Sequence, residues 1–211
     1  MSIQTFIDRA TFLTIDKRKV SAQTITRSGR VKTAEVASAN PYRFAIGVSE
    51  GYKYSENRGA LEELDTLDVT TEEQIDIGTN NTNLSYLTAL QGTLAGSPTI
   101  TSASASNIVV NTSGATGSGT ALKKGDFIQP GTGYRYPYQV TADVSWNASS
   151  ITVPIHRPFI EQTGYSVSGK PLLLGSAVQW YVKMVNKPSY TILPYDRFVL
   201  DNDLELVEII T

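Results

Sequence analysis

The 211-residue chain contains no cysteine, which excludes disulfides, thiolate catalysis and cysteine-bound metal. Its single histidine, His156, excludes a multi-histidine zinc site. That residue follows Ile155 and precedes Arg157-Pro158 at the end of an expected strand, a setting that suits a structural or surface role better than a place in a catalytic triad. Charge of either sign is scarce in excess: 18 basic residues face 20 acidic ones, a formal net charge of −2. No basic field therefore stands out to attract nucleic acid, and no long block of like charge suggests a solvating tail. No run approaches the roughly 18 continuous apolar residues of a membrane-crossing helix. The opening residues, MSIQTFIDRATF, lack a basic start followed by an apolar run, so no signal peptide is expected and the chain is expected to be made and assembled in a cytoplasm.

One absence is local. Residues 77–122 include no charged side chain and are crowded with Ser, Thr, Asn and Gly. Such a composition predicts flexible connections. Its length suggests an insertion, or a loop ordered by a neighbouring subunit, with a domain junction in this region. Within it, Leu84, Tyr86, Leu87 and Leu90 predict a short helix or turn, and residues 107–110 a short strand.

What is present is strand signal, densest in 119–158. Phe127 and Ile128 predict a short strand ended by Pro130, Gly131 and Gly133. Tyr136, Tyr138, Val140, Ala142 and Val144 then alternate with Pro137, Gln139, Thr141 and Asp143, a period of two. Turn residues at 147–150 lead to a partner strand carrying Ile151, Val153 and Ile155, so a hairpin is predicted, one too small to stand alone. Upstream, residues 20–36 predict two strands around a Ser28-Gly29 turn, and Tyr42, Phe44, Ile46 and Val48 predict a clear strand. One convincing helix is expected, starting near Ser55 or Asn57 as N-cap and burying Ala60, Leu61, Leu64 and Leu67. A strand at 72–77 follows it. Downstream, Val178, Trp180, Val182 and Met184 mark an apolar-facing strand. Shorter pieces follow around Tyr190 and Phe198. Leu204, Leu206, Val207, Ile209 and Ile210 form a last strand that must pair with something. The fold class is mainly β with one helix.

Candidate chemistry is sparse. Residues 114–119 with Lys123 only loosely resemble a phosphate loop, since the lysine is displaced and no strand leads into a helix. Gly125 and Asp126 read as a turn and strand start, because a carboxylate acting in acid–base catalysis needs a second one across a cleft. Asp201, Asp203, Glu205 and Glu208 do not match calcium-loop spacing; an acidic edge on the last strand, discouraging stray pairing, is the expected reading. Tyr134, Tyr136, Tyr138 and Trp146 are the candidate interface or ligand-facing group, with burial in the β core as the competing reading. Asn-x-Ser/Thr triplets such as Asn83-Leu84-Ser85 are chance matches in a chain without a leader. No catalytic, cofactor-binding or metal-binding residue is assigned.

Taken in order, the segments TITRSGRVKTAE (24–35), PYRFAIGV (41–48), ALKKGDFIQP (121–130), YPYQVTADV (136–144), ITVPIHRP (151–158) and LELVEII (204–210) resemble tail proteins of long-tailed bacteriophages. The similarity is to distal tail proteins, the ring joining tail tube to baseplate or tip. It includes a Leu-x-x-Gly-Asp-Phe/Tyr-Ile/Leu-Gln strand ahead of a Tyr-x-Val-Thr-x-Asp-Val strand, here within 122–144. The resemblance implies a tube-like β-sandwich or barrel domain made from both chain ends, 1–83 and 164–211, with a small β domain inserted at 84–163. It further implies a ring of identical subunits, commonly sixfold, in the virion, with other tail proteins (tube, hub or baseplate) as neighbours. It implies no catalysis, no cofactor, and DNA met only by passage through a neutral or acidic lumen. A tail-tube, tail-terminator or baseplate wedge protein, or a carbohydrate- or receptor-binding tail module, are the alternatives. The uncharged 77–122 segment departs from the family pattern.

Overall fold

The computed structural model describes residues 3–17, 21–25, 31–35, 40–47, 52–131 and 133–210. Within them the chain is mainly β, with nineteen short strands and three α-helices, of which only Tyr54–Thr66 exceeds four residues. The largest sheet holds five antiparallel strands in the spatial order Phe12–Asp16, Arg43–Gly47, Leu204–Glu208, Gln179–Asn186 and Glu73–Asp76. Alternation sorts its faces: Phe44, Ile46, Trp180, Val182, Leu204 and Leu206 are buried, while Arg43, Lys183, Val185 and Glu205 emerge on the other face. Trp180 sits edge-on to Phe127, Phe44 and Tyr42, with ring centroids 5.5, 5.8 and 6.1 Å away, a geometry the ring quadrupoles favour. The described sheets are open; none closes on itself.

The last strand is therefore interior, not an acidic edge. Leu204, Leu206 and Glu208 share one strand face by the period of two, so the face that buries the two leucines also buries Glu208, which is 3% exposed. Of the strand's own two acids, Glu205 faces solvent and Glu208 does not.

Two apolar clusters divide the molecule. The first gathers residues from Ile3 to Leu84 and from Val178 to Leu206, with Phe127 added from the middle of the sequence. The second gathers residues between Leu94 and Leu172, with Leu90, Leu174 and Ile210 packed against it. The strand Phe127–Pro130 lies between them, sending Phe127 into the first and Ile128 into the second. Buried Gln129 bonds across this boundary. Its amide donates to the carbonyls of Tyr134 (2.6 Å) and Gln179 (3.0 Å), and its Oε1 accepts the Gln179 N–H at 2.8 Å.

The uncharged segment is a folded part of the second cluster and not a flexible connection. It supplies the strands Ala95–Gly96, Thr99–Ala103, Asn107–Asn111, Ala115–Thr116 and Thr120–Leu122, and buries Leu94, Ile100, Ile108, Val110, Ala121 and Leu122. Its Ser, Thr and Asn residues tie turns: Asn111 Oδ1 accepts the Ser113 N–H at 2.9 Å, and Thr112 Oγ1 donates to the Asn147 carbonyl at 2.6 Å. Sparse but well-spaced apolar residues, joined by Asx turns, fold without charge.

The predicted hairpin is also corrected. Pro137 has no N–H to give a ladder, and continuous pairing survives only around the Val140–Ile155 bridge. Tyr138–Gln139 pairs with Phe127–Pro130, Val144–Ser145 with Thr120–Leu122, and Ser150–Pro154 with Asn107–Asn111. Further upstream, Ser21–Ile25 pairs antiparallel with Val31–Glu35. The Ser28-Gly29 turn and Val48 lie outside the described residues.

The long helix buries Asn57, Ala60, Leu61 and Leu64, but neither Ser55 nor Asn57 caps it. Lys53 stands at the N-cap with no side-chain capping bond. The cap comes from 141 residues beyond Ser55, from Asp196 in the turn between Tyr190–Leu193 and Arg197–Leu200. Its carbonyl accepts the Tyr54 N–H (2.9 Å), its Oδ1 accepts the Ser55 N–H (2.9 Å), and its Oδ2 accepts the Ser55 hydroxyl. These bonds hold the Asp196 carboxyl below its ordinary pKa. They also hold Tyr195 and Asp196 at φ of 64° and 60°, a left-handed conformation that costs a non-glycine residue roughly 1–2 kcal/mol. Asp196→Ala should lower the thermal midpoint and speed hydrogen exchange at the Tyr54 and Ser55 amides. Because the folded carboxyl is depressed, the same contribution should be present at neutral pH and fade as acid protonates Asp196; unchanged exchange in the variant would refute the remote cap.

Candidate functional site at the buried Arg157 junction

Burial alternates through Ile151, Val153 and Ile155, and the bend that follows the strand Ser150–Pro154 buries the Arg157 guanidinium at the next alternate position. Arg157 and Glu208 meet there with side chains 1% and 0% exposed. The pair is bidentate: Nη1 donates to Oε2 at 2.5 Å and Nη2 to Oε1 at 2.6 Å. Arg157 also donates to the carbonyls of Asn40 (3.0 Å) and Pro137 (2.8 Å), while Glu208 accepts the Tyr42 N–H at 2.9 Å. Tyr42 and Tyr138 face the guanidinium at 5.1 and 5.4 Å from their ring centroids, where ring faces attract cations. Burial opposes the Arg157 charge, but the bonds and charge of Glu208 outweigh it and hold the guanidinium above its ordinary pKa.

The sequence-predicted tyrosines collect around this junction as core, not as a presented surface. Tyr134, Tyr136 and Tyr138 are each buried to 1% exposure or less. The hydroxyls of Tyr134 and Tyr138 bond each other at 2.8 Å; Tyr134 also donates to the Ile160 carbonyl, and Tyr138 accepts the Ile160 N–H at 2.9 Å. Phe159 stacks on both rings at 5.5 Å, and Tyr136 stands edge-on to Tyr134 at 5.5 Å. Burial raises the pKa of both Tyr134 and Tyr138, so they stay neutral phenols. Trp146 lies apart and half-buried against the second cluster. Its ring covers Gly117 so closely that a Cβ there would come within 2.6 Å of it.

Asp126 is buried and collects three backbone N–H groups, from Gln91 (2.8 Å), Gly92 (3.1 Å) and Lys123 (2.8 Å). It thereby fixes the loop before the strand Phe127–Pro130. Gly125, at φ +106°, makes the turn that lets the carboxylate face inward; its N–H donates to the Val140 carbonyl at 2.9 Å. His156 is held as well: its Nδ1 accepts the Gln139 N–H at 3.0 Å, and its own N–H donates to the Gln139 carbonyl at 3.0 Å. Burial, with the charges of Arg157 and Lys17, pushes its pKa down to about 3. The buried ionisable groups near the junction thus make mainly structural bonds, with the Tyr42 hydroxyl, His156 Nε2 and Arg157 Nε buried and unpartnered. Among the described residues, no group of three or more His, Asp or Glu is placed to hold a metal.

The Arg157–Glu208 pair is what sequence reading missed. Its signal was present: two apolar alternations, 151-153-155 and 204-206, each run on to a charge of opposite sign at the next inward position. The chain matches no known protein-family model and no curated protein.

Two outcomes follow from this geometry. Truncating one partner, as in Glu208→Ala, leaves the other charge buried and should cost about 3–5 kcal/mol in urea unfolding. The double change Arg157→Met/Glu208→Leu should recover much of that loss; equal losses in single and double variants would show that the pair is not coupled. Second, His156 stays neutral when folded but takes a proton when unfolded, so stability should fall as pH drops from about 6.5 toward about 3, by at most roughly 4 kcal/mol. His156→Asn, which retains an acceptor for Gln139, should flatten that slope; an unaltered slope would refute the assignment.

Proposed function

We propose that this chain is a structural protein of a bacteriophage tail, forming a ring of identical copies, six of them, at the distal end where tube meets baseplate or tip. The observation that carries the reading is what the fold leaves uncovered. Among the described residues, the five-stranded sheet has two strands with only one neighbour each, and Arg43, Lys183, Val185 and Glu205 are exposed on its outer face. Val185 and Ile192 are 60% and 55% exposed, and Phe12 45%. Unpaired edges and apolar residues are liabilities in a free monomer and become contacts in a closed assembly. The first apolar cluster, drawn from both the early and the late parts of the sequence, agrees with a tube-like β-sandwich or barrel domain completed between neighbours. The order of segments that resembles distal tail proteins supports the same reading. In it the chain acts by shape and not by catalysis, its partners are its own copies and adjoining tube, hub or baseplate proteins, and DNA passes through the lumen without specific contact. Assembly takes place in the host cytoplasm and the product resides in the virion.

Heterologous contacts that close by rotation give a ring, and interfaces of this kind bury about 2,000 Å² or more. Light scattering and native mass spectrometry of purified protein should therefore give a closed species with six times the mass of the 22.9 kDa chain. Labelling should place it at the distal end of the tail. A chain that stays monomeric both alone and in the particle would overturn the reading.

A further inference from the structure

The turn that caps the long helix also displays the most exposed large hydrophobic residue described. Tyr195 is 94% exposed, and Ile192 and Leu193, two strand positions away, are 55% and 38% exposed. Tyrosine is a poor choice for a left-handed φ where glycine fits freely, and a strained outlier of this kind points to function. The turn cannot relax, because Asp196 is tied to the helix start by its carbonyl and both carboxylate oxygens. The result is an aromatic knob aimed outward from a rigid base, an anchor that loses little conformational entropy when it is buried.

A matching hole lies elsewhere on the chain. The outer face of the five-stranded sheet contains a mainly apolar hollow of about 430 Å³, bounded by Asp16, Arg43, Ala45, Val185, Glu205 and Val207. The hairpin of 190–200 contributes nothing to its lining. The charges complement each other too. Arg197 borders the knob and Glu205 borders the hollow, both exposed, and neither makes an ion pair among the described residues.

We infer that Tyr195 of one copy seats in the sheet-face hollow of the next, with Arg197 against Glu205. This rests on the ring reading and names the contact that closes it. Knob and hole are separate patches, so the contact can repeat head to tail and propagate around a ring. A central aromatic in a desolvated pocket is also the usual form of a binding hot spot. In the hollow, the Arg43 guanidinium is placed to lie against the phenol ring.

The test uses the full chain, with folding checked by circular dichroism and thermal melting. Tyr195→Ala and Val185→Glu should each weaken assembly about tenfold or more without loss of fold. Tyr86→Ala, which removes another exposed tyrosine, should assemble as wild type. Mixing the first two variants should restore one good contact, from the Val185→Glu copy's knob to the Tyr195→Ala copy's hollow, and yield pairs but no closed ring. A photo-crosslinking phenylalanine analogue at 195 should join copies through peptides spanning 14–16, 43–45, 183–186 or 204–208. A wild-type ring that is indifferent to Tyr195→Ala, or crosslinks to another surface, would overturn this inference and leave the ring standing. Wild-type protein that never associates would overturn both.

Discussion

The structure depends on a charge pair that water cannot reach. Arg157 belongs to the part of the sequence that builds the second apolar cluster, and Glu208 ends a strand of the first cluster's sheet. Neither charge could be buried alone, because the desolvation cost is several kcal/mol per ion and is recovered only where geometry and additional hydrogen bonds are good. Both conditions hold: the guanidinium makes four hydrogen bonds and the carboxylate accepts three. A hydrophobic pair of similar volume would tolerate sliding, whereas a bidentate pair fixes distance and angle together. The junction therefore sets how the two clusters meet. Gln129 does the same work with neutral groups a few residues from the strand start that Asp126 anchors.

This arrangement places many groups with chemical potential inside the core. A lone histidine, two buried carboxylates and a triad of tyrosines would suggest a site if they faced a cleft. Here most of their polar atoms are taken up by backbone amides, by one another and by Arg157, while His156 Nε2 is buried without a hydrogen-bond partner. Tyr134 and Tyr138 are held neutral by burial, His156 is held neutral by burial and by nearby cations, and Asp126 is saturated with N–H donors. Polar networks satisfied to this degree favour one packing.

Much of the fold was legible from periodicity. The strands around Phe44, Trp180 and Leu206 announce their buried faces by alternation, and the helix at 54–66 announces its own by Ala60, Leu61 and Leu64. Pairing was not legible. The run 136–144 has a perfect period of two, yet Pro137 and competing partners break it into pieces that join three different strands. The uncharged stretch misled because composition reports solubility and flexibility on average, while a few well-placed residues such as Ile108 and Val110 decide burial. The remote cap was invisible for a simpler reason: Ser55 has the right chemistry for an N-cap, but it lies inside the helix and gives its own N–H and hydroxyl to the Asp196 carboxylate. Of the site, Asp126 and the tyrosines stood out by type, while the ion pair could be found only by extending two alternations one step further and noticing where they stopped being apolar.

The strand Leu204–Glu208 lies between two strands synthesised before it. During translation those neighbours wait for a central plank, and the ion that must neutralise Arg157 arrives only with it. The region spanning 94–172 needs no such late delivery for its own sheets. The nascent chain thus carries one finished half and one half with a slot, and that slot is the right shape for the corresponding segment of any sibling emerging nearby. Crowded polysomes are consequently the place where strand exchange between copies would begin.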